Sequence, residues 1–459
     1  MSKRSSSSIL KDVQANILKP HARDYVRCIF LRFGNSDSCA IKNHLGLFQE
    51  YITSASKQKE QAKKYKENGR NDNGTLVTCI YLSKFVYEKI NIPDANRPSD
   101  PSFRNGMKSR NQLNDPVNRA LAVDYQEDID TMILVAGNDN DLVEKKTKSV
   151  CRHFKDITQK NGCFIENGER LFYRIGDRKI FTEHFGYRDG ISNPVFFKQN
   201  KTKTLDKKKI DLVLDQNCGS YLVFRKLQQD VSKFNSKISE LSKRLGITRS
   251  YAEAQVMGRF KDGTPLGLFS SPNSVDLSKE SLYNNASFDE IDNIKYRNYD
   301  DLKGNKCPFH AHIRQMNPRN GLLKEESKYN PDNTMSTMAR RSIPYDNHNG
   351  EVGLLFMSFQ RNIYQQFVRQ HIWANRYNFV PLENQENPNN GAGLDPIIGQ
   401  RDAENGDTFF PQRWSTKWDK RKKVVFDFSD VVSFKGGEYF YAPPISFFKN
   451  LVSSTETTA

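Results

Sequence analysis

The chain has 459 residues, 36% hydrophobic and 27% charged, too long for one ordinary domain and long enough for large apolar cores. Its 30 Phe and 19 Tyr exclude a disordered polypeptide, and no run of about 18 apolar residues is present to cross a membrane. Lys and Arg number 70 against 54 Asp and Glu, a net charge of +16. The basic residues are interleaved with Asn and Glu along the whole chain, the pattern of a solvated basic surface, so nucleic acid is not the expected partner.

Seven cysteines, none in a Cys-x-x-Cys pair, form a poor disulfide framework and point to a reducing, cytoplasmic setting. The opening MSKRSSSSILKDVQ lacks the apolar core of a secretory signal. Val26–Phe33 alternates apolar and polar residues and predicts a strand. A Lys-, Gln- and Glu-rich stretch at Tyr51–Glu67 predicts a helix, and Thr75–Ser83 another strand. Thr131–Gly137 is a short apolar run suited to a buried strand, followed by helical periodicity over Asp141–Gln159.

Lys198–Lys209 is polar and basic, with Leu205 its one core-type residue, and reads as a linker. Beyond it come a strand at Gly219–Leu227 and helices at Asp230–Leu245 and Ser250–Gly258. An Asn-, Asp- and Ser-rich loop follows at Ser271–Asp301, then a buried strand, Gly353–Phe359, running into a helix at Asn362–Asn375. The order predicts an α+β protein of two similar lobes, residues 11–200 and 210–450.

Three segments carry candidate chemistry. In EHFGYRDGISNP (Glu183–Pro194), local composition alone makes Asp189 a turn residue. In CPFHAHIRQMNPR (Cys307–Arg319), a zinc site built on Cys307, His310 and His312 lacks a matching second ligand group. In ARRSIPYDN (Ala339–Asn347), two arginines precede an Ile-Pro turn.

Together these segments resemble the dye-decolorizing peroxidase family. Gly186-Tyr187-Arg188-Asp189-Gly190 is similar to its G-x-x-D-G signature, Cys307–Arg319 to its proximal histidine motif and Arg340–Tyr345 to its distal arginine motif. DVQANIL, GRFKDGTPL, GLLFMSFQ, GLDPIIGQ and KGGEYFYAP extend the likeness over about residues 11–450. Ala15 and Asn193 stand where the family usually has Gly and Gln.

The resemblance implies two ferredoxin-like lobes, each an antiparallel sheet with packed helices, and one haem b whose iron is ligated by His312. An axial imidazole needs an acceptor for its second nitrogen, which fixes its tautomer; Asp395 is the carboxylate proposed for this. His310, which the family does not require, reads as a core or haem-edge residue. Peroxide must lose a proton from one oxygen and gain one on the other, beside a fixed cation. The likeness gives Asp189 the proton and Arg340 the charge, since a guanidinium stays protonated at working pH. A carboxyl side chain that must carry a proton works best in acid, so turnover is expected to be fastest there.

By the same likeness Ser342 holds a water, Leu354 and Phe356 wall the distal side, and Asn317, Arg319 and, less directly, Arg314 contact the haem propionates. Leu354 and Phe356 lie two apart on a strand and so share a face, which ordinary core packing would equally explain. Trp373, Trp414 and Trp418 stand as relays to bulky substrates, none singled out. The implied reaction is hydrogen-peroxide-dependent one-electron oxidation of dyes, phenolics or another reducing organic substrate. Iron release from haem and haem storage or sensing are the rival readings. A homodimer is compatible with the sequence.

Overall fold

A computed structural model describes residues 5–68, 75–109, 113–175, 178–189, 196–197, 205–272, 301, 304, 306–316, 337–375, 393–401, 412–416 and 423–456. In the first half, β1 (Tyr25–Leu31), β2 (Val77–Leu82), β3 (Thr131–Gly137) and β4 (Cys163–Glu169) pair antiparallel in the order β4-β1-β3-β2. A hairpin of β5 (Leu171–Ile175) and β6 (Arg178–Thr182) follows.

The second half repeats the order. β7 (Ser220–Gln229) lies between β10 (Val352–Gln360) and β13 (Val432–Ala442). The far edge of β10 pairs with both β8 (Ala339–Arg340) and β9 (Ile343–Asp346). A separate ribbon joins β11 (Gln412–Ser415) to β12 (Lys423–Phe426). In each half the last strand sits beside the first, as in a ferredoxin-like unit.

A bridge between Leu82 and Tyr441 joins β2 to β13, so that nine strands form one sheet. Its outer strands also meet. A Cβ on Gly168 of β4 would come 2.5 Å from Ile343 Cγ2 of β9, so glycine lets the two strands approach without displacing that side chain. The result is an α+β barrel. Inside it, Phe30, Tyr125, Phe164 and Phe224 pack ring on ring. Buried Glu166 of β4 accepts from Lys226 of β7 at 2.9 Å and from the Tyr125 hydroxyl at 3.0 Å, an ion pair that crosses between the halves. Severing one partner would strand a buried charge.

Helices form where caps and apolar spacing agree. Asp230 accepts from the Lys233 amide and starts the helix Val231–Leu245, whose Phe234, Ile238, Leu241 and Leu245 share one buried face. Gly246, at φ 63°, ends it in the left-handed conformation. Predicted Tyr51–Glu67 starts later, at Ala55, because Ser54 caps it through the Lys57 amide. Predicted Asp141–Gln159 is helical over Asn140–His153, then tightens to a 3₁₀ turn at Lys155–Ile157. Within Asn362–Asn375 a π-helical stretch, Tyr364–Val368, precedes the α-helix Arg369–Ala374.

At the described end of the expected linker, the one core-type residue is placed as its chemistry suggests. Leu205 is buried and bridges to Phe197, and a short helix, Lys207–Ile210, buries Ile210. Residues 198–204 lie outside the described residues, as does nearly all of the loop expected at Ser271–Asp301.

Candidate active site

Asp189 follows the β5–β6 hairpin on a turn organised by Glu183. The half-buried Glu183 carboxylate accepts from the Phe185 and Tyr187 amides, both at 2.9 Å, and from Gln229 Nε2 at 2.5 Å. Burial pushes its pKa up, while these donors oppose the rise. Gly186 turns the chain at φ +89°, a conformation L side chains rarely adopt. Phe185 stacks on Phe234 at 4.2 Å, and the Tyr187 hydroxyl donates to the Glu253 carbonyl at 2.7 Å. The Asp189 amide then donates to Phe181 O at 2.8 Å, which fixes where its carboxylate stands.

Arg340 comes from β8, opposite Ser358 of β10, and its guanidinium donates to the Asp189 carboxylate. Its neighbour Arg341 does something else. Fully buried, Arg341 donates to the carbonyls of Asn16 and Ile17, each at 2.6 Å, and of Arg340 at 2.8 Å. It thereby clamps the DVQANIL segment to the strand, and burial lowers its pKa to about 9. A cavity of about 150 Å³ adjoins Asp189 and Arg340, with His21, Arg170, Ser342 and Pro344 in its wall. The Ser342 hydroxyl is buried there and has no hydrogen-bond partner among the described residues.

His312 opens the short helix His312–Met316. Its Nδ1 donates to Asp395 Oδ2 at 2.9 Å and lies 3.2 Å from Oδ1. Asp395 is fully buried and also accepts from the Ile397 and Ile398 amides at 2.8 and 3.0 Å. A carboxylate accepts, so Nδ1 is the donor of this pair and Nε2 is left as the ring atom that could bind a metal. No hydrogen bond engages Nε2 among the described residues. A neutral imidazole fixed in this tautomer is a suitable donor for iron.

The strand β10 connects the two constellations. It pairs with β8, which bears Arg340, and leads into the helix Arg369–Ala374. The Ala374 carbonyl accepts from the Asp395 amide at 2.9 Å. Leu354 and Phe356 share the half-buried face of β10, while Leu355 and Met357 on the other face are buried in the core. The Phe356 ring lies 6.0 Å from that of Phe367.

Arg314 departs from the propionate expectation. It is fully buried, donating to Asp301 Oδ2 at 3.0 Å, Asp301 O at 2.6 Å and Cys307 O at 2.7 Å, so its charge is spent on holding the loop before His312. Asn317, Arg319, Asn193 and Trp418 lie outside the described residues. Trp373 and Trp414 are both buried, so neither ends a path at the surface; Trp414 donates to Phe426 O at 2.9 Å and packs 4.2 Å from the His310 ring. Glu183, His21 and Arg170 escaped the sequence reading. Only Glu183 left a signal there, an acidic residue shortly before the Gly-containing turn.

Two such constellations carried by one α+β barrel put the chain among the peroxidases. It belongs to the DyP-type peroxidase family, whose members depend on haem. The model of the DyP dimeric alpha+beta barrel domain matches residues 12–163, and that of the Dyp-type peroxidase, C-terminal, residues 182–379. The multifunctional dye peroxidase DyP2 of Amycolatopsis sp. is 30% identical over 97% of this chain and 96% of its own. The dye-decolorizing peroxidase msp1 of Mycetinis scorodonius is 27% identical over 97% and 88%. Among solved structures, the Anabaena sp. DyP-type peroxidase is 31% identical with a TM-score of 0.81, covering 97% of this chain and 95% of that one.

Proposed function

We propose that the chain binds one b-type haem, whose iron His312 would hold, and uses hydrogen peroxide to oxidise dyes, phenolics or similar reducing substrates by one-electron steps. The observation that carries this reading is the pairing of Asp189 with Arg340 beside a small cavity. The names of the relatives support dyes as the substrate class. When bound, haem supplies the iron that accepts the oxidising equivalents of peroxide and returns them to the substrate one electron at a time.

The chain's own residues supply the rest. The Asp189 carboxylate takes the proton of the first peroxide oxygen and delivers it to the second, which leaves as water. Arg340 holds a fixed positive charge where negative charge develops as the O–O bond lengthens. Ser342 positions a water at the cavity wall, and Leu354 and Phe356 keep the distal face dry. Asp395 keeps His312 in its ligating tautomer. In balance, one peroxide and two one-electron donors with their protons yield two waters and two oxidised donor radicals.

Two lobes, residues 11–200 and 210–450, remain part of this proposal. So do Asn317 and Arg319 as propionate contacts and a cytoplasmic setting, the last supported by seven free cysteines. The test is peroxide-dependent bleaching of an anthraquinone dye by the purified haem protein. Bleaching that is lost in Arg340→Leu with the haem spectrum intact supports the proposal. Free porphyrin as the product would overturn it in favour of iron release.

A further inference from the structure

Cys151 lies in the last turn of the helix Asn140–His153, and Cys163 is the first residue of β4. The intervening chain folds back through the 3₁₀ turn at Lys155–Ile157, and β1 fixes Cys163 by pairing it with Leu31. This brings the two sulfurs to 3.7 Å. Cys163 is exposed and Cys151 half-buried, whereas Cys28, Cys79, Cys218 and Cys307 are buried. Cys39 is also exposed. Neither Cys151 nor Cys163 lines the Asp189–Arg340 cavity.

We propose that Cys151 and Cys163 are a peroxide-sensitive modification site, a dithiol that closes to an intramolecular disulfide. For the bond to form, the sulfurs need to approach from 3.7 Å to about 2.05 Å. Their hydrogen bond also divides their reactivity. Either thiol can donate in this contact; with Cys163 donating, the Cys151 pKa is lowered, against burial and Glu144, and that of Cys163 is raised. Cys151 is therefore the attacking thiolate and Cys163 the resolving thiol.

The chemistry balances with peroxide alone. The Cys151 sulfur attacks one peroxide oxygen, an S–O bond forms, the O–O bond breaks, and the departing hydroxide takes a proton to become water. The Cys163 sulfur then attacks the Cys151 sulfenic acid. An S–S bond forms, the S–O bond breaks, and the second hydroxide leaves as water with the Cys163 proton. Two thiols are oxidised by two electrons and one peroxide is reduced to two waters. The inference rests on the peroxidase reading only for the source of the oxidant, and its readout is independent of dye oxidation. Closure ties the end of the helix to the start of β4, the strand whose Gly168 packs against Ile343.

The experiment uses the reduced haem protein, freed of reductant and exposed to hydrogen peroxide at a few equivalents without dye. The unfolded chain is then alkylated and its peptides analysed by mass spectrometry. The expected result is a cross-linked pair of peptides bearing Cys151 and Cys163, two thiols lost and both recovered with dithiothreitol, and Cys39 still alkylated. In Cys163→Ser the link is absent and dimedone captures a sulfenic acid on Cys151. Unchanged melting and dye oxidation in that variant confirm its fold. Oxidation of Cys39 as fast as the pair, or full alkylation of Cys151 and Cys163 after peroxide, would overturn the proposal.

Discussion

The Arg340 guanidinium hydrogen-bonds to the Asp189 carboxylate, joining a β8 residue to a turn 151 positions earlier in the chain. The acid proposed to handle protons and the cation proposed to stabilise charge are thus joined, and the proposal expects them to act as a unit. Asp189→Ala should keep the haem spectrum but slow reaction with peroxide by about 10²–10⁴-fold. Arg340→Leu should slow it by about 10²–10³-fold. The double variant should lose less than the product of the two, as linked groups do. Stopped-flow absorbance after mixing with peroxide measures all three, and multiplicative losses would show independent action.

Arg340 and Arg341 separate by what each loss damages. Arg341 is 5% exposed and serves three backbone carbonyls. Arg341→Leu should therefore cost on the order of 3–5 kcal/mol of stability. Arg340 is 39% exposed on its side chain, and solvent screening holds its contribution to about 1 kcal/mol or less. Denaturant unfolding of the two variants tests the contrast. Equal destabilisation would refute the division between clamp and catalyst.

His371 makes stability depend on pH. Burial, then the Arg225 charge, lowers its pKa to about 3, against weaker opposition from Asp115 and Asp395. The unfolded chain takes up the proton below about pH 6.5, while the folded protein refuses it. This contribution is thus fully present above about pH 6.5 and is lost as pH falls toward 3. Wild type should lose stability faster than His371→Asn on acidification, by up to about 1.4 kcal/mol per pH unit. Parallel melting profiles from pH 7 to pH 4 would contradict this.

Asp395→Asn keeps an oxygen for the Ile397 and Ile398 amides but removes the charge behind His312. Haem affinity should fall by about 10–100-fold with the fold intact. Hemin titration followed by absorbance, alongside circular dichroism, checks this. Unchanged affinity would mean that the carboxylate serves the loop alone.

The elements legible from sequence are those with one dominant signal. β3 was predictable because Thr131–Gly137 is apolar throughout and buried at every position. The helix Val231–Leu245 announces itself by its Asp cap, its periodicity and its terminal Gly. β4 was not legible, because its outer positions face solvent and its Glu166 and Gly168 point to partners only the closed barrel supplies. β8 and β9 are too short for periodicity, and Pro344 interrupts the pattern. For the site, Asp189, Arg340, His312 and Asp395 were each nameable through motif likeness, yet spacing alone pairs none of them. The Asp301 partner of Arg314 was not legible, because a guanidinium beside a candidate ligand histidine suits a propionate equally well. Glu183 went unread because its role lies in the backbone amides of its own turn, which composition does not reveal.

The most direct measurement is the absorption spectrum of the purified, hemin-loaded protein before and after one equivalent of hydrogen peroxide. In wild type the Soret band is expected to shift at once on mixing; it should shift far more slowly in Asp189→Ala and fail to form normally in His312→Ala. A colourless protein after hemin addition, or a Soret band indifferent to peroxide, would contradict the proposed function.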